Sequence, residues 1–239
     1  MYHSFDLLAL EFPYLLNRHH HESYTLRQFF EKDDHLVKIH SPVGYMVTTN
    51  ESVEPYASVS DVELTKSQDL PHLGPLNGLS YFFENHVYRK DNNWPFKENI
   101  QNVCSVLPQI HTAFEFNNSI DPELRSDQDY YGRSLIMAFA ASLGQARLNY
   151  GPDVSGILPK PITLHFVNTN GKKFHFSVFQ LNNLNLEADN DSVKNIFWHE
   201  PSFLNMFEKC DYINTQPTLT NYDHNVFSHI LAMYLQNKS

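Results

Sequence analysis

Glycine is scarce in this sequence, with only 8 glycines in 239 residues. Phosphate-binding loops need glycines at fixed positions, where the backbone approaches the ligand closely. The segment 170–173 contains Gly-Lys, but it lacks the earlier glycine and the following Ser or Thr of a P-loop. The sequence therefore argues against a nucleotide-binding loop.

Cysteine is scarcer still. The two cysteines, Cys104 and Cys210, lie too far apart for a Cys-x-x-Cys or zinc-binding pattern. We expect both to be buried, reduced thiols in a reducing compartment. No Gly-x-Ser-x-Gly motif is present, so the sequence shows no signature of nucleophilic catalysis.

Basic residues and long apolar runs are also few. Lys and Arg number 17 against 27 Asp and Glu, which gives a net charge of −10. Because proteins that bind nucleic acid alone depend on Lys and Arg contacts to phosphate, we expect no free-standing DNA- or RNA-binding domain. No apolar run reaches the about 18 residues of a membrane-spanning helix. The first residues show no signal or transit peptide, which predicts either a cytoplasmic protein or a sequence that starts inside a longer precursor.

Apolar and aromatic residues, in contrast, are plentiful, at 41% and 14% of the chain. They predict a packed core with aromatic side chains to spare for a protein–protein interface. The clearest pattern is a β-hairpin over 162–181, because Asn170-Gly171 separates two apolar strands and Asn-Gly is a strong hairpin signal. Phe176 and Phe179 fall on opposite faces of the second strand, so both faces of the hairpin should be covered.

Helical patterns flank this hairpin. A helix over about 128–150 is apolar on most sides, which is typical of a buried helix, and Gly151 supplies its stop. A C-terminal helix is expected over about 221–236, where Thr220 and Asp223 resemble a capping box.

The remaining patterns are weaker. A helix over 4–16 is interrupted by Pro13, two or three short strands between 24 and 48 are divided at 41–44, residues 50–80 read as loop, and 196–198 indicate an edge strand. Together the patterns predict one α+β domain over 1–239, with a mixed, mainly antiparallel sheet, a central hairpin, a buried helix and a C-terminal helix.

Fourteen histidines raise the question of a metal site. The triplet His19-His20-His21 is expected to be a solvated surface run. His165 and His175 lie on opposite arms of the hairpin and could face each other, with His199 as a further candidate. Because no HExxH spacing occurs, we expect packed or hydrogen-bonded histidines, and a metal-dependent enzyme remains an alternative.

Lys172 and Lys173, with Lys160 and Lys194 nearby in sequence, form the one local basic cluster. Lysines of this kind commonly protect sheet edges. The functional interpretation is a small phosphate contact within an RNA-containing assembly, with Lys172 and Lys173 at its centre.

Two stretches resemble a known family. The first runs over 135–151 and contains Gly144-Gln145-Ala146-Arg147; the second contains Gln180-Leu181-Asn182, followed by Lys194-Asn195-Ile196-Phe197-Trp198. In this order they resemble the mitochondrial ribosomal family of large-subunit protein thirty-seven, whose relative is the S-thirty protein, also called programmed cell death protein nine. The final helix fits the same family. The chain resembles the C-terminal part of such a protein.

The resemblance implies a non-catalytic structural component of the mitochondrial large ribosomal subunit, with no catalytic, cofactor-binding or metal-binding residues. It implies a place in the mitochondrial matrix, contacts with neighbouring mitochondrial ribosomal proteins including the S-thirty-type relative, and limited rRNA contact. The residues themselves leave two alternatives open: a metal-dependent enzyme using histidines of the hairpin region, and a generic protein-interaction domain.

Overall fold

The computed structural model describes residues 2–32, 35–70, 81–82, 106–116, 127–186, 191–213 and 215–236. Within them the helices are α1 (Tyr2–Glu11), α2 (Val59–Leu64), α3 (Asp127–Tyr150) and α4 (His224–Tyr234). The strands are β1 (His19–Lys32), β2 (His35–Thr49), β3 (Tyr81–Phe82), β4 (Gln109–Phe116), β5 (Ile157–Thr169), β6 (Lys173–Asn183), β7 (Ile196–His199), β8 (Leu204–Asn205), β9 (Lys209–Ile213) and β10 (Gln216–Thr220).

The strands form one large mixed sheet and one small sheet. The large sheet has the order β1-β2-β4-β5-β6-β7, with β3 beside β2 and β8 beside β6. Of its strand pairs only β4–β5 is parallel, and α3 lies between these two strands in sequence, as a parallel connection requires. Among the described strands, β9 and β10 pair only with each other. The predicted α+β class with a mainly antiparallel sheet is confirmed.

The β5–β6 hairpin occupies the centre of the large sheet and extends beyond the predicted 162–181 at both ends. Its side chains alternate between two apolar clusters. Phe179 and Leu181 belong to the cluster that includes α3, whereas Phe174 and Phe176 belong to the cluster that includes α4. Both faces of the hairpin are therefore covered, as the pattern of bulky residues predicts.

Helix α3 packs against the first face through its small side chains. Ala138, Ala140, Ala141 and Ala146 are fully buried, while Leu135 is 37% exposed. At these four positions the small side chains let the helix approach the sheet closely. Gly151, with a φ of 98°, ends the helix and donates its N–H to the Arg147 carbonyl at 3.0 Å.

Helix α4 and the N-terminal segment cover the second face. Val226, Ile230 and Tyr234 pack there with Leu15 and Val47. Asp223 caps α4 by accepting the Asn225 N–H at 2.9 Å. The predicted capping role of Thr220 is wrong, because Thr220 is the last residue of β10 and pairs with Lys209.

The N-terminal half differs from the predicted pattern in three places. The division at 41–44 is wrong, since β2 continues through Pro42 as one strand. Among the described strands, β3 pairs with β2 at Val37 and Lys38 and β4 pairs from Tyr45 onward, so this stretch has a partner on one side only. A strand edge tolerates a residue without an N–H.

The other two differences concern helices. The expected helix over 4–16 is divided into α1 and a 3-10 turn that starts at Pro13. Residues 50–70 are not all loop, because Ser58 and Asp61 form a reciprocal capping box that starts α2.

Two further expectations concern the surface. Within the described ranges, no helix combines the length and the apolar character needed to cross a membrane. Cys210 is exposed, which corrects the expectation of a buried thiol, while Cys104 lies outside the described residues.

Candidate functional site

The tip of the β5–β6 hairpin carries the two lysines that the sequence suggests for rRNA contact. The Asn170 side-chain oxygen accepts the backbone N–H groups of Lys172 at 3.0 Å and Lys173 at 2.8 Å. The Thr169 hydroxyl donates to the Lys173 carbonyl at 2.8 Å, and Gly171 has a φ of 88°. These bonds order the backbone of the turn at both lysines.

Lys172 and Lys173 are the only part of the predicted basic cluster that comes together. Lys173 is exposed and Lys172 half-buried. Lys160 lies toward the other end of β5, and its ammonium group donates to the Ser52 hydroxyl at 3.0 Å.

Lys194 is only 8% exposed, and its ammonium group donates to the Ser192 carbonyl at 3.0 Å. Neither Lys160 nor Lys194 therefore extends the basic tip.

His165 and His175 do not face each other. His165 pairs with Val178 across the hairpin, and His175 is three residues away from Val178 along β6. An odd offset along a strand places two side chains on opposite faces. The suggested metal site between these two histidines is therefore wrong, although both are fully buried, as expected for packed histidines.

His165 lies on the α4 face, in a buried polar pocket. Its ring is 5.0 Å from the His111 ring, and its Nε2 is 3.3 Å from the Tyr56 hydroxyl. Burial lowers the pKa of His165 to about 4. Burial, followed by the neighbouring His165, also holds the pKa of His111 well below its usual value. Both imidazoles are therefore neutral near pH 7.

His175 lies on the α3 face, in a cluster of rings. Its ring is 4.6 Å from Tyr131, 5.4 Å from His199 and 5.4 Å from Phe203. The Ser134 hydroxyl is 3.4 Å from its Nδ1. This arrangement packs the start of α3 on β6 and on the segment after β7.

A metal centre would need more ligands than these pairs supply. No three His, Cys, Asp or Glu side chains converge in the part of the chain that the structure describes. His229 approaches Glu200 at 3.8 Å, as a solvent-accessible pair.

The three histidines of the triplet, in β1, differ in their contacts and exposure. His20 points toward α4, where its ring nitrogens contact the hydroxyls of Tyr45 and Tyr234, the latter at 3.1 Å. His21 Nε2 is 2.8 Å from the Thr48 hydroxyl. The expectation of a solvated run holds for the exposed His19 but not for His20.

The residues that carry the family resemblance bond to backbone. The Asn195 side-chain oxygen accepts the N–H groups of Asn182 at 2.8 Å and Asn183 at 2.9 Å, and its amide donates to the Asn183 carbonyl at 2.9 Å. Asn182 donates in turn to the Lys194 carbonyl at 2.8 Å. We call this set the asparagine clamp; it fixes the chain entering β7 against the end of β6.

The Gly-Gln-Ala-Arg stretch of α3 also bonds to backbone, at β4 and at β1. Gln145 accepts the Ile110 N–H at 2.8 Å and donates to the Pro108 carbonyl at 3.0 Å. Arg147, only 8% exposed, donates to the Gln28 side chain at 2.9 Å and to the Phe29 carbonyl. Sequence reasoning missed this bonding, because the partners of Arg147 lie in β1, more than a hundred residues away.

The sequence of the chain was compared with protein-family models and with curated proteins. No protein-family model matches the chain. The chain is similar to "Large ribosomal subunit protein mL37" of Bos taurus, with 29% identity over 79% of this chain and 43% of the relative. The protein of the same name in Gallus gallus shows 28% identity over 95% of this chain and 53% of the relative. The predicted resemblance to the mL37 family is confirmed.

The chain spans about half the length of the curated mL37 relatives that it matches, 43% of the protein from Bos taurus and 53% of that from Gallus gallus. This coverage fits the prediction that the chain corresponds to a part of such a protein. A third mL37 relative, from Rattus norvegicus, is 28% identical over 79% of this chain.

One surface feature had no signal strong enough to predict. The small β9–β10 sheet lies in a stretch of mixed polar and apolar residues, and all residues of both strands are exposed. Apolar residues alternate with polar ones in both strands, at Cys210 and Tyr212 and at Pro217 and Leu219. This alternation is too short to distinguish a strand from a loop.

Proposed function

We propose that this chain is a non-catalytic structural component of the mitochondrial large ribosomal subunit and supports mitochondrial translation from the mitochondrial matrix. The observation that carries the proposal is the 28% identity to a protein named for that subunit, sustained over 95% of this chain. A likeness of this extent includes helices, strands and loops alike, which favours a shared fold and a shared use of its surfaces.

The buried polar groups support a structural role. Catalytic sites commonly hold perturbed titratable groups in a cleft that a substrate can enter. Here the perturbed His111 and His165 are fully buried, and each contacts other side chains of the core. Gln145, Arg147 and Asn195 likewise use their hydrogen bonds to hold the chain's own backbone.

The partners that we propose are neighbouring mitochondrial ribosomal proteins, with the S-thirty-type relative among them. The exposed apolar side chains support a protein partner: Leu7, Leu10, Val59 and Tyr212 are each at least 65% exposed. Surfaces of this kind are commonly covered in an assembly.

We also propose a limited rRNA contact through Lys172 and Lys173. The hairpin tip supports it because a hydrogen-bonded turn presents two adjacent cations, and a backbone that is already ordered loses less conformational freedom on meeting a phosphate than a mobile one. The acidic remainder of the chain limits such contact to a small area.

We further propose that residues 1–239 form a single α+β domain. The support is the bonding between segments far apart in sequence: the Tyr14 hydroxyl donates to the Leu235 carbonyl at 3.0 Å, and Arg18 donates to the Gln236 carbonyl. A stable fragment that unfolds separately in calorimetry would contradict this arrangement.

Sedimentation tests the ribosomal role. An epitope-tagged chain is expressed in its own cells, and mitochondrial lysate is separated on a sucrose gradient. We expect the tag in the fractions that contain large-subunit rRNA, and we expect it to move to light fractions when EDTA and RNase dismantle the particle. A tag confined to fractions lighter than ribosomal subunits would overturn the proposal.

A further inference from the structure

The β9–β10 hairpin is a second, separate sheet on the surface of the molecule. Its strands pair from Lys209 with Thr220 to Ile213 with Gln216, and every residue of both strands is exposed. An isolated two-stranded hairpin is only marginally stable in water. Such an element gains stability when a further strand or surface covers it.

One face of this hairpin is apolar. Cys210 lies opposite Leu219, and Tyr212 lies opposite Pro217. Directly opposed residues project to the same side of a sheet, so these four side chains share a face. Tyr212 is 77% exposed and Leu219 41% exposed. We call this the Cys210–Tyr212 face.

The other face is mostly polar. It carries Lys209, Asp211, Thr218 and Thr220, with Ile213 as its apolar member. The hairpin is therefore amphipathic, a pattern that normally accompanies burial of the apolar side. The described part of the chain supplies no such cover, since both strands are exposed throughout.

Pro217 decides which edge of the hairpin can accept another strand. In a hydrogen-bonded pair both residues donate an N–H, and proline has none, so the Tyr212–Pro217 pair suits the non-hydrogen-bonded position. The N–H and C=O groups of Tyr212, and by alternation those of Cys210, then point away from β10. The outer edge of β10 lacks the donor at Pro217, which protects it against pairing. The outer edge of β9 has its full set of donors and acceptors.

We propose that β9 is a docking edge for an extended segment of a protein partner, which adds a third strand beside β9 and covers the Cys210–Tyr212 face with apolar side chains. This pairing uses backbone hydrogen bonds for affinity and alternate side chains for specificity. The inference deepens the proposed function and rests on it for where the partner is found, namely within the large subunit.

Charge selects the chemistry of the partner. Over residues 208–223 the chain carries Glu208, Asp211 and Asp223 against Lys209 alone. Glu208 and Asp211, the two carboxylates beside or within β9, repel an RNA backbone. They favour a protein segment in which Lys or Arg residues accompany the apolar ones.

Photo-cross-linking tests the docking edge. A benzophenone amino acid replaces Tyr212 in the full chain, and the matched control carries it at Thr218, on the opposite face of the same hairpin. Gradient-purified particles that contain the chain are irradiated, and the cross-linked peptide is mapped by mass spectrometry. We expect one defined protein segment at Tyr212 and at least about fivefold less adduct at Thr218.

The alternative outcomes each overturn the proposal. They are an adduct to RNA at Tyr212, adducts scattered over unrelated proteins, equal adduct at both positions, or no adduct. Should the chain sediment in a particle other than the large subunit, the proposed function fails, and irradiation of that other particle still decides whether β9 binds a strand. The two failures are thus distinguishable.

Hydrogen exchange gives a second measurement that needs no substitution. In the free full chain, the outward amides of Cys210 and Tyr212 should exchange readily, because no strand of the described chain accepts them. In the assembled particle we expect them to exchange at least about tenfold more slowly, since a third strand would accept both. Unchanged exchange at these two amides would overturn the proposal.

Discussion

Asn195 shows how single amide side chains stabilise this fold. It replaces the ladder partners that β6 loses at Asn182 and Asn183, where the chain leaves the regular sheet. A buried backbone group without a partner costs about 1–3 kcal/mol, so an amide that bonds three of them is worth several kcal/mol at most.

Asn195→Ala is therefore expected to lower the free energy of unfolding by about 2–4 kcal/mol, because it leaves two N–H groups and one carbonyl without their partner. Urea denaturation of the full chain measures this. Asn205→Ala is the matched control, since Asn205 is exposed in β8, and it should change the free energy by less than about 0.5 kcal/mol. Equal effects of the two changes would contradict the clamp.

His165 gives the fold a dependence on pH. A histidine with a lowered folded-state pKa binds fewer protons when folded than when unfolded. Its stabilising contribution is complete above the unfolded pKa of 6.5 and is lost as pH falls toward the folded value of about 4. The His111 ring beside it adds to the effect in the same direction.

We expect the free energy of unfolding to fall by about 3 kcal/mol from His165 alone between pH 6.5 and pH 4. His165→Asn should make this part of the profile shallower, because asparagine does not titrate, while the contribution of His111 remains. His224→Asn, at an exposed position, should leave the slope as it is. The check is a series of urea denaturation curves over this pH range, and a slope that His165→Asn leaves unchanged would count against the burial of a neutral imidazole at this position.

At the scale of elements, α3 depends on its small residues. Ala141 is fully buried against the sheet, so a larger side chain must push the helix outward. Gly132, in contrast, is exposed in the same helix, and nothing lies within 4 Å of where its Cβ would be.

Ala141→Leu should destabilise the protein by about 1–3 kcal/mol through overpacking. Gly132→Ala should stabilise it by about 0.5–1 kcal/mol, because alanine loses less conformational freedom in a helix than glycine does. Thermal unfolding monitored by circular dichroism gives both values. Shifts of the same sign would contradict the assigned orientation of α3.

Element prediction from sequence succeeded where the signal was local. The hairpin, the buried helix and the edge strand follow from Asn170-Gly171, from the periodicity before Gly151 and from 196–198. The failures came from distant structure. Pro42 stays within β2 because, among the described strands, β1 alone pairs with β2 at this position. The face on which His165 lies follows from the register of the folded hairpin.

The candidate site was predictable to a smaller extent. The sequence indicated Lys172 and Lys173 as adjacent cations on a turn, but it could not show that Lys194 is buried or that Lys160 contacts Ser52. The sequence showed the residues of the family motifs. Only the structure showed that Gln145, Arg147 and Asn195 form hydrogen bonds to backbone groups.

At the scale of the whole molecule, the covered large sheet is distinct from the exposed surface elements. The two faces of the large sheet are covered by α3 and by α4 with the N-terminal segment. The hairpin tip carries the exposed Lys173, and the β9–β10 sheet is exposed along both strands. A scaffold of this form is suited to holding neighbours in an assembly, and each of these two surfaces can be tested separately.

The charge-reversed variant Lys172→Glu/Lys173→Glu should reduce incorporation into the large subunit, because two phosphate attractions become repulsions. The control Lys160→Glu/Lys66→Glu changes the net charge equally at exposed positions away from the tip and should incorporate normally. Incorporation is measured as the tagged fraction in subunit peaks of a gradient. Normal incorporation of the first variant would exclude an rRNA contact at the tip.

The central claim, a structural place in the mitochondrial large subunit, is tested most directly by the stoichiometry of the chain in purified particles. Large subunits are isolated from mitochondria, washed with high salt and quantified by mass spectrometry with isotope-labelled peptides. We expect the chain to be equimolar with established large-subunit proteins and to stay so after washing. A level far below equimolar, or loss of the chain in the wash while those proteins remain, would contradict the claim.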